Sequence, residues 1–280
     1  MKNLLLGLLF LTSLSAKSQS YFILSNGVTL TINKAGYIFD LDNFFLPYKV
    51  QVNGGQFLVS DKILHTVDEN GFLYKKDLKV EEVKGKGLNY FISDDNHLVT
   101  IDSLGIFFKY DKEKSIFKKA KGFGGNFFTV LVDEKKKITD LYTINSKGNY
   151  FKIKATNLNP HSITTFGGNK WFLTDKNVLY TVSAEGMVFE KPEIKIGKIS
   201  KAGGNFFIDD QNKIYTISDE GYVFLPNLPL SFKFSSLSKF GSNYMLDKDG
   251  NAFVVDSMGN IFQRNIEEHD LRNVKINSHR

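Results

Sequence analysis

Seven copies of one short pattern run through the 280-residue chain: a β-branched pair, a turn-forming residue and, three residues later, a glycine. The copies are Thr31-Ile32-Asn33…Gly36, Thr66-Val67-Asp68…Gly71, Thr100-Ile101-Asp102…Gly105 and Thr143-Ile144-Asn145…Gly148. They continue as Thr181-Val182-Ser183…Gly186, Thr216-Ile217-Ser218…Gly221 and Val254-Val255-Asp256…Gly259, the last departing only at its first position. Successive glycines lie 35, 34, 43, 38, 35 and 38 residues apart. Three residues after each glycine stands an aromatic: Phe39, Tyr74, Phe108, Phe151, Phe189, Phe224 and Phe262. A period in this range marks an architecture in which each unit is too small to cover its own apolar faces and must borrow a neighbour's.

Each column has a physical reading. The β-branched pair favours a strand. The Asp, Asn or Ser after it can accept a hydrogen bond from the backbone two residues on and start a tight turn. The glycine supplies a left-handed backbone that costs a residue with a Cβ about 1–2 kcal/mol. The aromatic then marks a second strand, and its burial is expected to contribute roughly 1.5–3 kcal/mol per copy. Upstream, lead-ins such as Gly124-Gly125-Asn126-Phe127-Phe128 and Gly203-Gly204-Asn205-Phe206-Phe207 predict another strand. A fourth strand-like piece precedes it, as in Tyr48 to Val52 or Ile194 to Ile196. Each copy thus offers about four short strands, and helical spacing is absent. The fold predicted for residues 19–280 is all-β, a seven-bladed β-propeller with about four antiparallel strands per blade. A β-solenoid or open array is the alternative, favoured by repeats of about 20–30 residues. A surplus piece, Asn273 to Ile276, either completes the last blade as its outer strand or pairs with the first copy.

The run from Asp210 to Gly221, with Asp-Gln-Asn-Lys-Ile followed by Ser-Asp-Glu-Gly, resembles the turn-strand-turn pattern of NHL-type propellers. As architecture the whole repeat region is similar to short NHL and WD propeller repeats. The Trp-Asp ending of WD repeats is missing, so the resemblance implies the propeller and no specific family.

The chain begins with Met1-Lys2, an apolar run from Leu4 to Leu11, and small polar residues from Thr12 to Ser18. This is the three-part layout of a signal peptide over residues 1–18, with cleavage after Ser15 or Ser18. The rival reading, a membrane anchor, needs about 20 apolar residues. The expected address is therefore periplasmic or secreted. With no cysteine, the chain has no disulfide and no thiolate metal site.

The formal charge is +6, and its cations are almost all Lys, the arginines being Arg264, Arg272 and Arg280. Dispersed lysines mixed with acids read as a solvated surface, and base-reading sites favour Arg, so nucleic acid is not the expected partner. No histidine pair has metal-ligand spacing, and no Gly-x-Ser-x-Gly elbow is present. The run Asp247-Lys248-Asp249-Gly250-Asn251 starts like a calcium loop but lacks the later Glu and misplaces the Gly. No cofactor, metal or catalytic residue is assigned.

In a repeat, what every copy keeps holds the copy together, and a site needs asymmetry. The Asn or Gln of the lead-ins (Gln56, Asn89, Asn126, Asn169, Asn205, Asn243) is accordingly read as structural. The irregular features are the ligand-binding candidates. One is the insertion carrying Lys135, Lys136 and Lys137; the other is the sole tryptophan, Trp171, with an extra residue, Lys170, before it. Core packing is the competing reading of Trp171, and a solvated loop that of the lysines. The function expected is an exported, monomeric, non-enzymatic propeller binding protein or carbohydrate through its loop surface. The alternative is a hydrolase or lyase with its site in the central channel.

Overall fold

The computed structural model describes residues 20–23, 28–45, 50–154, 158–168 and 170–264. Residues 1–18, expected as a signal peptide, the C-terminal piece with His269 and His279, and Asn169 lie outside them. The described chain is an all-β propeller of small antiparallel sheets, each a simple meander. Six sheets have four strands and the first has three. The second sheet shows the plan: Val50–Asn53, Phe57–Ser60, Ile63–Val67 and Leu73–Lys79, in that order. In the first sheet Tyr21 pairs with Thr31 as Phe57 pairs with Thr66 in the second. Its strands Ser20–Ile23, Val28–Ile32 and Ile38–Phe45 therefore match the second to fourth strands of the other sheets. The last sheet already has an outer strand of its own, Ile261–Arg264, so it is complete without the C-terminal piece.

The middle strands are buried at nearly every position, as in Phe57–Ser60, Phe206–Asp209 and Ala252–Val255. Both of their faces are covered by neighbouring sheets, which is why they read as continuous apolar runs rather than alternating ones. Seven apolar clusters fill seven seams. Phe57, Val59 and Leu64 meet Phe91, Val99 and Ile101 between the second and third sheets. Tyr21 meets Leu58 and Val67 between the first and second. Leu30 and Ile32 of the first sheet pack with Tyr244, Leu246 and Val254 of the last. This last seam joins the two ends of the repeat, which an open array or solenoid would leave apart.

The turns form a belt around the same circle. Lys34 N–H donates to Glu69, Glu69 to Ser103, Ser103 to Ser146, Ser146 to Ala184, Ala184 to Asp219, Asp219 to Ser257, and Ser257 back to Lys34. Each turn is built as its residues dictate. Asp68 Oδ1 accepts from the N–H of Asn70 and Phe72, and Asp102, Asn145 and Asp256 repeat the arrangement. The closing glycines all have positive φ, from 74° at Gly105 to 92° at Gly71. The threonine of the β-branched pair clasps the next copy: Thr31, Thr66, Thr100, Thr143, Thr181 and Thr216 donate to Gly71, Gly105, Gly148, Gly186, Gly221 and Gly259 carbonyls at 2.6–2.7 Å. In the last copy Val254 has no hydroxyl, and Arg264 Nε serves the Gly36 carbonyl instead, at 2.8 Å.

Two expectations are corrected. The aromatics after the glycines are not deep anchors: Phe39, Tyr74, Phe108, Phe151, Phe224 and Phe262 are 37–44% exposed. They sit on outer strands, where in every copy but the last the ring lies against the next copy's glycine; an added Cβ on Gly221 would lie 3.0 Å from Phe189. The deep core is instead made by the middle strands. The segment Ile194 to Ile196 is not a strand; the first strand of that sheet is Ile199–Ala202, and Ile196 packs into the seam before it.

Candidate functional site

The first strand of each four-stranded sheet stands nearest the axis. Those of the second to fifth sheets wall a cavity of about 700 Å3. They are Val50–Asn53, Val83–Lys86, Ala120–Phe123 and Ile163–Gly167. Glycine lets successive strands approach closely here. An added Cβ on Gly85 would lie 2.1 Å from the ring of Phe123, and one on Gly122 would lie 2.1 Å from the ring of Phe166. Each ring therefore lies against the glycine of the preceding strand, and both rings line the cavity.

Charge on this wall has one sign. Lys84, Lys86 and Lys121 line the cavity, and none of its lining residues is Asp, Glu, His, Ser, Thr or Tyr. Around the axis, the six first strands carry Lys84, Lys86, Lys121, Lys201 and Lys239 and no acid. Two of these three ammonium groups, those of Lys84 and Lys86, are held by neutral acceptors. Lys84 Nζ donates to the Lys118 carbonyl, and Lys86 Nζ to the Asn53 carbonyl and, at 2.8 Å, to Asn53 Oδ1. Burial holds Lys86 below the usual lysine range; at Lys84 burial acts with the neighbouring charges of Lys121 and Lys118 in the same direction. By contrast, two outer-strand lysines pair with acids, Lys79 with Glu81 at 2.7 Å and Lys152 with Asp140 at 2.7 Å.

Beside this cavity, on the side of the glycine turns, runs a belt of buried polar side chains. The backbone carbonyls of Gln56, Asn89, Asn126, Lys170, Asn205 and Asn243 accept from Val67, Ile101, Ile144, Val182, Ile217 and Val255, so these six hold one structural place. The Asn89 amide reaches the Asn145 carbonyl, and the Asn126 amide the Ser183 carbonyl, each in the next copy. Lys170, not Asn169, occupies this place in the fifth sheet, a correction to the sequence alignment. Its ammonium forms an ion pair with Asp219, and both side chains are almost fully buried.

The candidates singled out from sequence do not form one site. Trp171 is 0% exposed and packs on Phe207 at 4.8 Å in the seam between the fifth and sixth sheets. It fills the place of Phe127 and Phe206, in keeping with the core-packing reading of it. Lys170 is committed to Asp219. Lys135, Lys136 and Lys137 are exposed on the hairpin between Phe127–Asp133 and Ile138–Ile144. That hairpin joins the far ends of middle strands, on the opposite face of the ring from Lys170. Its turn is shaped locally, with Lys136 N–H donating to Asp133 Oδ1 and Lys137 at φ 53°. The axial lysines were missed; their signal is the repeated Lys-Gly of Lys84-Gly85-Lys86-Gly87 and Lys121-Gly122-Phe123-Gly124.

Among the described residues no cluster of three or more His, Cys, Asp or Glu could hold a metal, and no helix is long and apolar enough to cross a membrane. No family model matches the chain, and no curated protein matches it. Among solved structures it is similar to a catalytically inactive virginiamycin B lyase from Staphylococcus aureus with quinupristin. That match has 15% identity over 90% of this chain and 89% of the other, with a TM-score of 0.34. A streptogramin B lyase structure is likewise similar, at 15% identity over 90% of this chain and 95% of that one, with a TM-score of 0.30. Likeness at this level carries no conclusion about activity, and the propeller assignment rests on the sheets and seams themselves.

Proposed function

We propose that the chain is an exported, monomeric, seven-bladed binding propeller whose ligand seat is the axial cavity. The first sheet is the seventh blade in this reading, with its missing first strand supplied by the C-terminal piece from Asn273 to Ile276. The seam between Leu30 and Val254 and the turn belt running from Ser257 back to Lys34 support that count. The cavity carries the functional reading. Its volume suits a small molecule or a segment of a chain, and lysine, amide, aromatic and glycine groups line it without a carboxylate or imidazole. Such a wall recognises; it offers no acid–base pair of the kind that hydrolysis employs. Seating the ligand on the axis replaces the loop surface expected from sequence.

The test compares the mature protein with Lys121→Trp, which places a bulky ring in the cavity from an exposed position. Binding of protein and glycan panels should be lost in the variant while its thermal unfolding is retained; binding that survives the blockade would refute the axial seat. Amino-terminal sequencing of the protein recovered outside the cytoplasm should begin at Ala16 or Gln19. A second reading, a lyase or hydrolase in the channel, is favoured by the placing of Lys84 and Lys86 on the cavity wall, where burial lowers both from the ordinary lysine range. Turnover of esters, lactones or polysaccharides that stops in Lys84→Gln or Lys86→Gln would establish it in place of the binding reading.

A further inference from the structure

We propose that the axial cavity binds an oligosaccharide bearing acidic groups, its carboxylates or sulfates meeting Lys84, Lys86 and Lys121 and its ring faces lying on Phe123 and Phe166. The inference rests on the axial seat and names its occupant. Three observations converge on it. The lysines around the cavity have no carboxylate counterion among the described residues; Lys84 and Lys86 are turned to neutral carbonyl and amide oxygens. Like charges gathered on a partly buried wall repel one another, and an anion entering among them relieves that repulsion. Several lysines on other parts of the fold do sit against acids, as Lys34, Lys79 and Lys152 do.

The rest of the wall decides between anions. Phe123 and Phe166 present half-buried rings, and Gln51 and Asn53 line the same cavity, their amide oxygens accepting from Lys62 N–H and Lys86 Nζ and the Gln51 amide N–H groups being left for a ligand. Flat apolar rings suit the C–H face of a sugar, and amides suit its hydroxyls. A compact phosphate would instead call for convergent arginines or a nest of backbone N–H groups. Here the cavity's cations are lysines spread over two neighbouring strands, Lys84 and Lys86 two residues apart on one and Lys121 on the next. They match charges spaced along a chain of sugars better than charges concentrated on one group.

Isothermal titration with the mature protein tests this, using a tetrasaccharide of galacturonate, the neutral tetrasaccharide of galactose, and a tetranucleotide as probes. The expected result is binding of the uronate alone. Its affinity should fall as salt is raised from 50 to 500 mM and drop about tenfold or more in the triple variant Lys84→Gln, Lys86→Gln, Lys121→Gln. The triple variant should unfold at an unchanged temperature, which separates lost recognition from lost fold. Equal binding of the galactose probe, unmoved by the triple variant but abolished by Lys121→Trp, would overturn the acidic ligand and leave the axial seat standing. Preference for the tetranucleotide would overturn the sugar assignment, and binding of none of the probes would overturn the proposal outright.

Discussion

The last copy of the repeat contains its own substitution experiment. Six copies clasp the next glycine carbonyl with a threonine hydroxyl, and the seventh replaces that hydroxyl with Val254 and recruits Arg264. The geometry is otherwise kept. Val254 Cγ1 lies 3.3 Å from the position of a Cβ on Gly36, where threonine Oγ1 lies 2.8–3.2 Å away in the other copies. Removing the arginine with Arg264→Ala deletes a charge-assisted bond of about 1.5–3 kcal/mol on a half-buried carbonyl. It also removes stacking over the Tyr37 and Phe262 rings, at 5.0 and 4.8 Å, each contact contributing about 0.5–1 kcal/mol. These terms overlap, and the expected loss is about 3 kcal/mol, or roughly 6–12 °C in Tm. Adding Val254→Thr to that variant restores a neutral donor and should return about 1 kcal/mol. In the wild-type background the same change should be close to neutral, because the carbonyl already has its donor. Urea unfolding of the four proteins, followed by Trp171 fluorescence, gives the coupling energy directly. A coupling below about 0.3 kcal/mol would refute the claim that Arg264 stands in for the missing hydroxyl.

Other perturbations follow from the same structure. Gly221→Val forces a β-branched residue to φ 84° and crowds Phe189 and Thr181. It should cost about 3 kcal/mol in a denaturant titration, and an unchanged midpoint would contradict the turn assignment. Trp171→Ala should cost about 3–5 kcal/mol, whereas Trp171→Phe, the residue of three other copies, should cost less than about 1.5 kcal/mol; iodide should barely quench the native tryptophan. His65 takes the place of Tyr142, Tyr180 and Tyr215, and burial lowers its pKa from the ordinary 6.5. Below pH 6.5 the unfolded chain then binds a proton that the folded chain resists, so stability falls as pH drops from 6.5 toward 5. His65→Tyr should flatten the Tm profile across that window, and a profile parallel to wild type would remove His65 as its cause.

Much of the ring was legible because its constraints are local. A glycine that must adopt positive φ and an Asp that must cap a turn leave marks at fixed spacing, and the seven turns from Gly36 to Gly259 follow them. Depth is not local. The periodic aromatics marked the outer strands without revealing that an edge strand leaves one ring face open to water. The first strands were the hardest to read. They border the axis, so polar residues such as Ser200 and Lys201 replace the alternation that identifies a strand, while the alternating Ile194-Lys195-Ile196 is a link. The misplacement of Trp171 came from aligning Asn169 with the other asparagines. Pairing of Trp171 with Thr181, as Phe206 pairs with Thr216, moves Lys170 into the polar belt and the indole into the core. The axial lysines escaped notice because the Lys-Gly repeats of two strands do not by themselves reveal that four sheets bring their first strands to one cavity.

Closure of the ring is the claim on which the cavity and its occupant depend, and a chain free of cysteine allows it to be read without background. Ser257 N–H lies 3.1 Å from the Lys34 carbonyl across the seam between the last and first sheets. Oxidation of the Lys34→Cys, Ser257→Cys protein at high dilution should give a cross-linked monomer of faster mobility on a non-reducing gel. The control pair Lys34→Cys, Ser146→Cys, three places around the belt, should not cross-link. Closure would be contradicted if the first pair stayed reduced or joined only between molecules.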